Sequence, residues 1–184
     1  MDAALYMKEH RNEFDVIIVD SSDPVGPAET LYTSEFYLNM HAALRPGGIV
    51  CTQGECQWSN LALIKKVMAD ASAIYPVVDY AYTCIPTYPS GQIGFILAQK
   101  GGSSTSMRTP RAIPAAMAST LRYYNSVIHK ASFVLPNFAQ AELTAVRAPN
   151  SLVGSSSLFT LTNALLATTA CLAGVGIALV IRKK

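Results

Sequence analysis

FDVIIVDSSDPVGP, Phe14 to Pro27, places five apolar residues around a single Asp15, arrives at Asp20, and sets a second acid, Asp23, three positions further on. β-branched residues bounded by polar turn formers read as a strand. The missing apolar/polar alternation reads as one buried on both faces. Asp20 then closes the strand at its carboxyl end. In open α/β sheets, ligands bind outside the carboxyl ends of the parallel strands, so an acid there is placed to meet a substrate. The same Ser-Ser-Asp-Pro residues also suit an Asx-turn or a helix cap. The pattern alone leaves both readings open.

Working outward, the chain alternates element types. A short helix is expected from Asp2 to about Arg11. Beyond the Pro24 and Pro27 loop, Thr33 can cap a helix that turns Phe36, Leu38, Met40 and Leu44 toward a core and stops at Arg45-Pro46-Gly47-Gly48. Gly48 to Gln53 reads as a second strand. Asn60 can cap a further helix with Leu61, Ile64, Val67 and Met68 on one face, ending before Pro76. Val77 to Ile85 and Ile93 to Ala98 read as two last strands. Their short connection, PTYPSGQ, implies antiparallel pairing, since a parallel neighbour needs a crossover of about a dozen residues. The expectation is an α/β chain forming half of a doubly wound sheet, with Asp20 and Gln53 at one carboxyl edge.

The chain of 184 residues is 51% hydrophobic with a formal charge of +2, which fits one domain plus an appendage. That small charge hides an asymmetry. Up to Lys100 there are eleven acids and six Lys or Arg, and beyond it eight Lys or Arg and only Glu142. An acidic first region suits a cationic ligand. The scattered later basic residues, without aromatic interleaving, argue against nucleic acid. Cys51, Cys56, Cys84 and Cys171 show no CxxC spacing and no nearby histidine pair, so neither a metal site nor a disulfide framework is expected. They read as packed, reduced thiols of an intracellular protein.

DSSDPVGPAETLYTSEFY, CTQGECQW, IPTYPSGQIGF and YYNSVIHKASFVLPNFA, in that order, resemble the spermidine synthases. The resemblance runs from Asp2 to about Lys100 and resumes from Leu121 to about Leu143. It implies the carboxyl-terminal half of a Rossmann-like, methyltransferase-type sheet with an antiparallel last strand. It also implies transfer of an aminopropyl group from decarboxylated S-adenosylmethionine, a co-substrate, to putrescine, with no resident cofactor and no metal.

Carried over residue by residue, the resemblance makes Asp20 the proton acceptor and Asp23 the acid that holds the diamine, with Ser21 and Ser22 lining that turn. Paired carboxylates suit this task, because only a neutral amine can attack the carbon beside a sulfonium. Tyr88 matches a tyrosine that contacts the diamine, and Gln53 a glutamine near the site. Trp58 reads as core and Glu55 as solvated, so neither joins the list. Asp2 matches the acid of an Asp-Gly pair that reads the adenine, although Ala3 replaces the glycine. The resemblance places a β-rich domain, a Gly-rich nucleoside loop and a ribose-binding acid upstream of residue 1. The chain by itself is therefore expected to hold half a site, and the strand ending at Asp20 to have an open edge. Family members form dimers or larger oligomers, so self-association or pairing with a full-length subunit is expected.

From the other end, Leu158 to Ile181 carries no charge over 24 residues and is followed by Arg182, Lys183 and Lys184. As a helix it would extend about 36 Å, enough to cross a hydrocarbon core of about 30 Å. With no apolar amino-terminal signal, the expectation is a tail anchor in a membrane with the acidic region facing the cytosol. The expected organisation is a partial catalytic domain at 1–143 with a loop at 101–114, a tether at 144–157 and a transmembrane helix at 158–181. A membrane-anchored, catalytically silent relative that binds a polyamine or a partner subunit is the alternative function.

Overall fold

The computed structural model describes residues 3–21, 26–88, 90–102, 106–147 and 177–181. Helix α1 (Ala3–Glu9) leads into strand β1 (Phe14–Asp20) and a 3₁₀ helix at Gly26–Tyr32. Helix α2 (Ser34–Ala43) then runs directly into strand β2 (Leu44–Gln53), and helix α3 (Leu61–Ser72) connects to the hairpin β3 (Val77–Cys84) and β4 (Gln92–Gln99). A 3₁₀ turn at Ser106–Arg108 and helices α4 (Ala115–Ala118), α5 (Ser126–Ala131) and α6 (Asn137–Arg147) follow, and strand β5 (Ile177–Ile181) closes the sheet. Strand order is β3-β4-β2-β1-β5. β1 and β2 are parallel, and the β2/β4, β3/β4 and β1/β5 pairs are antiparallel.

Local chemistry explains most of these elements. The Thr33 hydroxyl accepts from Phe36 N at 3.2 Å, capping α2 as its position predicts. Phe36, Tyr37, Met40 and Ala43 face the core. Leu38 is 54% exposed, however, and Leu44 opens β2 instead of ending the helix. Asn60 precedes α3 without a side-chain cap bond, yet Ile64, Val67, Met68 and Ala71 line its buried face as the helical spacing requires. Phe14, Ile17, Leu44 and Val50 bury on the two parallel strands, each burial stabilising by roughly 1.5–3 kcal/mol.

Residues 106–147 fold back onto this frame. Asn125 caps α5 by accepting from Val127 N and Ile128 N, both at 2.9 Å. Ala139 and Leu143 of α6 reach the core, and Glu142 pairs with Lys65 of α3 at 2.5 Å. Arg108 clamps the segment to the sheet: its Nε and Nη2 donate to the two oxygens of Asp79, at 2.5 and 3.0 Å. Asp79 is only 2% exposed. The loop expected over 101–114 thus contains an anchored turn, and α6 runs three residues past 144, where a tether was expected.

Four further expectations change. The β1 edge is not open, because Val16–Asp20 pairs with Ile177–Ile181. The same observation corrects the transmembrane reading at those five residues. An extended strand bonded to its neighbour cannot also be the end of a membrane-spanning helix, and its β-branched residues suit the sheet. The remainder of that stretch, 158–176, lies outside the described residues, among which no helix is long and apolar enough to cross a membrane. Trp58, expected in the core, is 61% exposed and packs on Phe138 with ring centroids 4.9 Å apart. Of the thiols, Cys56 is buried and Cys84 is exposed, contrary to the packed reading. Burial pushes the Cys51 thiol up to about 11. Cys171 lies outside the described residues.

Candidate active site

The sheet brings two polar strand ends together. Val19 is registered with Thr52 across the parallel β1/β2 pair, so Asp20 and Gln53, each the last residue of its strand, leave the sheet side by side. Asp20 is exposed there. Ser21 follows it with only 8% exposure. Tyr88 reaches the same edge by another route. β4 runs antiparallel to β2 with Phe95 opposite Gln53, so the β3–β4 connection projects beyond the end of β2. In that connection Tyr88 is 38% exposed, and its carbonyl accepts from Gly91 N at 2.8 Å. Asp2, Ser22 and Asp23 lie outside the described residues.

A shallow recess of about 10 Å³, room for about one water, lies at the end of β2, with Tyr32, Gln53 and Glu55 among its polar lining and Leu63, Ile64 and Val67 of α3 on its apolar side. Tyr32, which reading the sequence did not single out, and Glu55, which it left off the list as solvated, both line this recess. Glu55 has a φ of 53°, a backbone conformation that favours glycine, and this places it at the recess. Its carbonyl accepts from Tyr80 Oη at 2.9 Å and from Gly94 N at 2.8 Å, which holds the kinked backbone in place. Burial drives the Tyr80 hydroxyl well above the ordinary phenol range, so it stays protonated and donates. The signal available in the sequence was the polar run Gln53-Gly54-Glu55 directly after a buried strand.

The strand end itself is braced from behind. Tyr37 Oη and Thr52 Oγ1 share a hydrogen bond of 3.1 Å one residue before Gln53, and Tyr75 Oη donates to the Tyr37 carbonyl at 3.0 Å. Burial raises Tyr37 to about 12, so this bond is neutral across the physiological range. Such buried, satisfied hydroxyls fix a strand end without placing charge in the core.

Gly94 makes this frame testable. A Cβ there would lie 2.5 Å from the Glu55 carbonyl oxygen and would also strike the Tyr80 ring. Gly94→Ala is expected to lower stability by about 1–3 kcal/mol, as overpacking does, and to shift the Glu55 backbone. Urea unfolding measures the first and amide chemical shifts the second; unchanged values in both would show that Gly94 does not pack against this frame.

A mixed α/β sheet with acid, amide and phenol groups gathered at the carboxyl edge of its parallel strands has a Rossmann-like arrangement, the edge at which such sheets bind ligands. Residues 1–108 match the family model of the spermine/spermidine synthase domain, and the chain belongs to that family. It is 50% identical to a spermidine synthase of Dictyostelium discoideum over 143 residues, covering 77% of this chain and 49% of the relative. A putrescine N-methyltransferase 2 of Nicotiana tabacum is 41% identical over 149 residues, covering 76% of this chain and 42% of that protein. The crystal structure of a spermidine synthase in complex with the transition state analogue AdoDATO superposes with a TM-score of 0.66 at 32% identity, over 79% of this chain and 50% of that one. The chain spans about half the length of the curated relatives it matches. Its sheet has the Rossmann-like fold of the spermidine synthases.

Proposed function

We propose that the chain serves in the transfer of an aminopropyl group from decarboxylated S-adenosylmethionine to putrescine, giving spermidine and methylthioadenosine. The observation that carries this reading is the placement of Asp20 and Gln53 at one carboxyl edge, each one residue beyond the Val19–Thr52 register, in a chain of this family. Putrescine is a dication at neutral pH, and its attacking nitrogen must lose a proton to expose a lone pair. The Asp20 carboxylate accepts that proton. The nitrogen then bonds to the carbon beside the sulfonium, and the electrons of the breaking C–S bond pass to sulfur, which leaves neutral as methylthioadenosine. Holding the two reactants in line can contribute several kcal/mol to such a step.

The remaining assignments follow the same chemistry. Asp23, Ser21 and Ser22 hold the diamine beside Asp20, and the Gln53 carbonyl accepts from an ammonium without taking its proton. Tyr88 packs its ring along the methylenes and turns its oxygen to an amine. Asp2 contacts the adenine of the donor. No resident cofactor enters the reaction, and association with a second copy or a full-length family subunit belongs to the same proposal.

The similarity to a putrescine N-methyltransferase supports a second reading, in which the same diamine meets a methyl donor. Both readings share the putrescine side and differ in the group transferred. The test supplies putrescine with decarboxylated S-adenosylmethionine or with S-adenosylmethionine and identifies the product by mass spectrometry. It is run with the chain alone and with a full-length family subunit added. Spermidine supports the first reading and N-methylputrescine the second. No product and no putrescine binding in any arm overturns both.

A further inference from the structure

Tyr32 ends the 3₁₀ helix Gly26–Tyr32, one residue before the Thr33 cap that starts α2. Its hydroxyl lies 3.1 Å from the hydroxyl of Ser21, the residue directly after Asp20. Ser21 is 8% exposed, so leaving its hydroxyl without a partner would carry a desolvation penalty, and Tyr32 supplies one. Tyr32 also lines the recess that holds Gln53 and Glu55. One aromatic side chain therefore touches the end of β1 and the space at the end of β2. Its own base is fixed, because α2, which begins right after it, carries the Tyr37 that is bonded to Thr52 beside Gln53.

We infer that Tyr32 is a positioning residue: its hydroxyl braces Ser21, and through it the Asp20 carboxylate, at a set distance from Gln53 and Glu55. This rests on the proposed putrescine site and deepens it. Two amino groups joined by a four-carbon chain are recognised together only if the groups that meet them are held at a matching span. A brace between the two strand ends sets that span. A phenol suits the task, since its ring is rigid beyond two torsions and its oxygen can donate or accept. Phenylalanine would keep the packing and lose the brace.

The test is a double-mutant cycle read by calorimetric titration with putrescine, comparing the full chain with Tyr32→Phe, Ser21→Ala and the double variant. Tyr32→Phe is expected to weaken putrescine binding by about threefold to tenfold, the effect of one lost hydrogen bond. The double variant is expected to bind no more weakly than the weaker single one, because both remove the same bond. Additive losses would assign the two hydroxyls independent roles and overturn the brace. So would wild-type affinity in Tyr32→Phe. Thermal unfolding of Tyr32→Phe separates the positioning effect from general damage: a higher Kd at unchanged Tm supports the brace, and an affinity that falls only in step with Tm overturns it. If the wild-type chain shows no putrescine binding, the proposed function fails first and the inference falls with it, visibly before any variant is compared.

Discussion

Asp20→Asn is expected to lower turnover of the proposed transfer by on the order of a hundredfold or more in any active assembly, the scale of losing a positioned general base. The substitution keeps the shape of the side chain and its place beside Gln53 at the end of β1, and removes the site that takes the proton. An amide cannot accept a proton from an ammonium at neutral pH, so the amine stays charged and its lone pair stays occupied. Putrescine binding is expected to change less than turnover, because the other polar groups of the edge remain. Initial rates with putrescine and decarboxylated S-adenosylmethionine decide it. Turnover equal to wild type would remove Asp20 from the proton-acceptor role.

Arg108→Met is expected to destabilise the fold by about 3 kcal/mol. Breaking a buried ion pair typically costs about 3–5 kcal/mol because the remaining charge loses its counter-ion, here leaving Asp79 with hydrogen bonds such as the one its Oδ1 accepts from Tyr80 N at 2.8 Å. The lower end applies here, since 38% of the Arg108 side chain is exposed and water can reach its side of the pair, whereas Asp79 is 3% exposed. The guanidinium also sits 5.7 Å from the centre of the Phe133 ring, and His129 Nε2 bonds the neighbouring Met107 carbonyl at 2.9 Å. Losing Arg108 therefore loosens the segment that returns to β3 as well as the ion pair. Combining it with Asp79→Asn is expected to recover part of the loss, because the uncompensated charge is gone. Urea denaturation of the single and double variants measures both effects. A single variant as stable as wild type would show that Asp79 is hydrated in spite of its burial.

The sequence made the parallel core legible for clear physical reasons. Unbroken apolar runs at 16–19 and 49–51, Thr33 before an acidic first turn, and a hairpin-length link after Cys84 each have few structural solutions. Asp20 and Gln53 could be placed for the same reason, since the end of a buried strand is a narrow address. Tyr32 and Glu55 could not. One enters the site at the end of a 3₁₀ helix with no periodic signature, and the other through a positive φ on a non-glycine residue, a tertiary outcome held by Tyr80 and Gly94. Ile177–Ile181 misled because an apolar β-branched run is common to membrane helices and buried strands. Only a partner decides between them, and β1 is that partner. Trp58 misled because aromatic character predicts burial on average, not at one position.

The β1/β5 pairing joins residues about 160 positions apart, whereas β1 meets β2 after a single helix. Closing the longer loop carries the larger entropic cost, so the two flanks of one strand differ in how easily they let go. Amide groups along β1 point alternately to one neighbour and the other. Those facing β5 report local release of the carboxyl-terminal strand, and those facing β2 report opening of the whole sheet. Hydrogen exchange along Val16–Asp20 then becomes a two-channel gauge within five residues, with Asp20 opposite Ile177 at the end beside the proposed site.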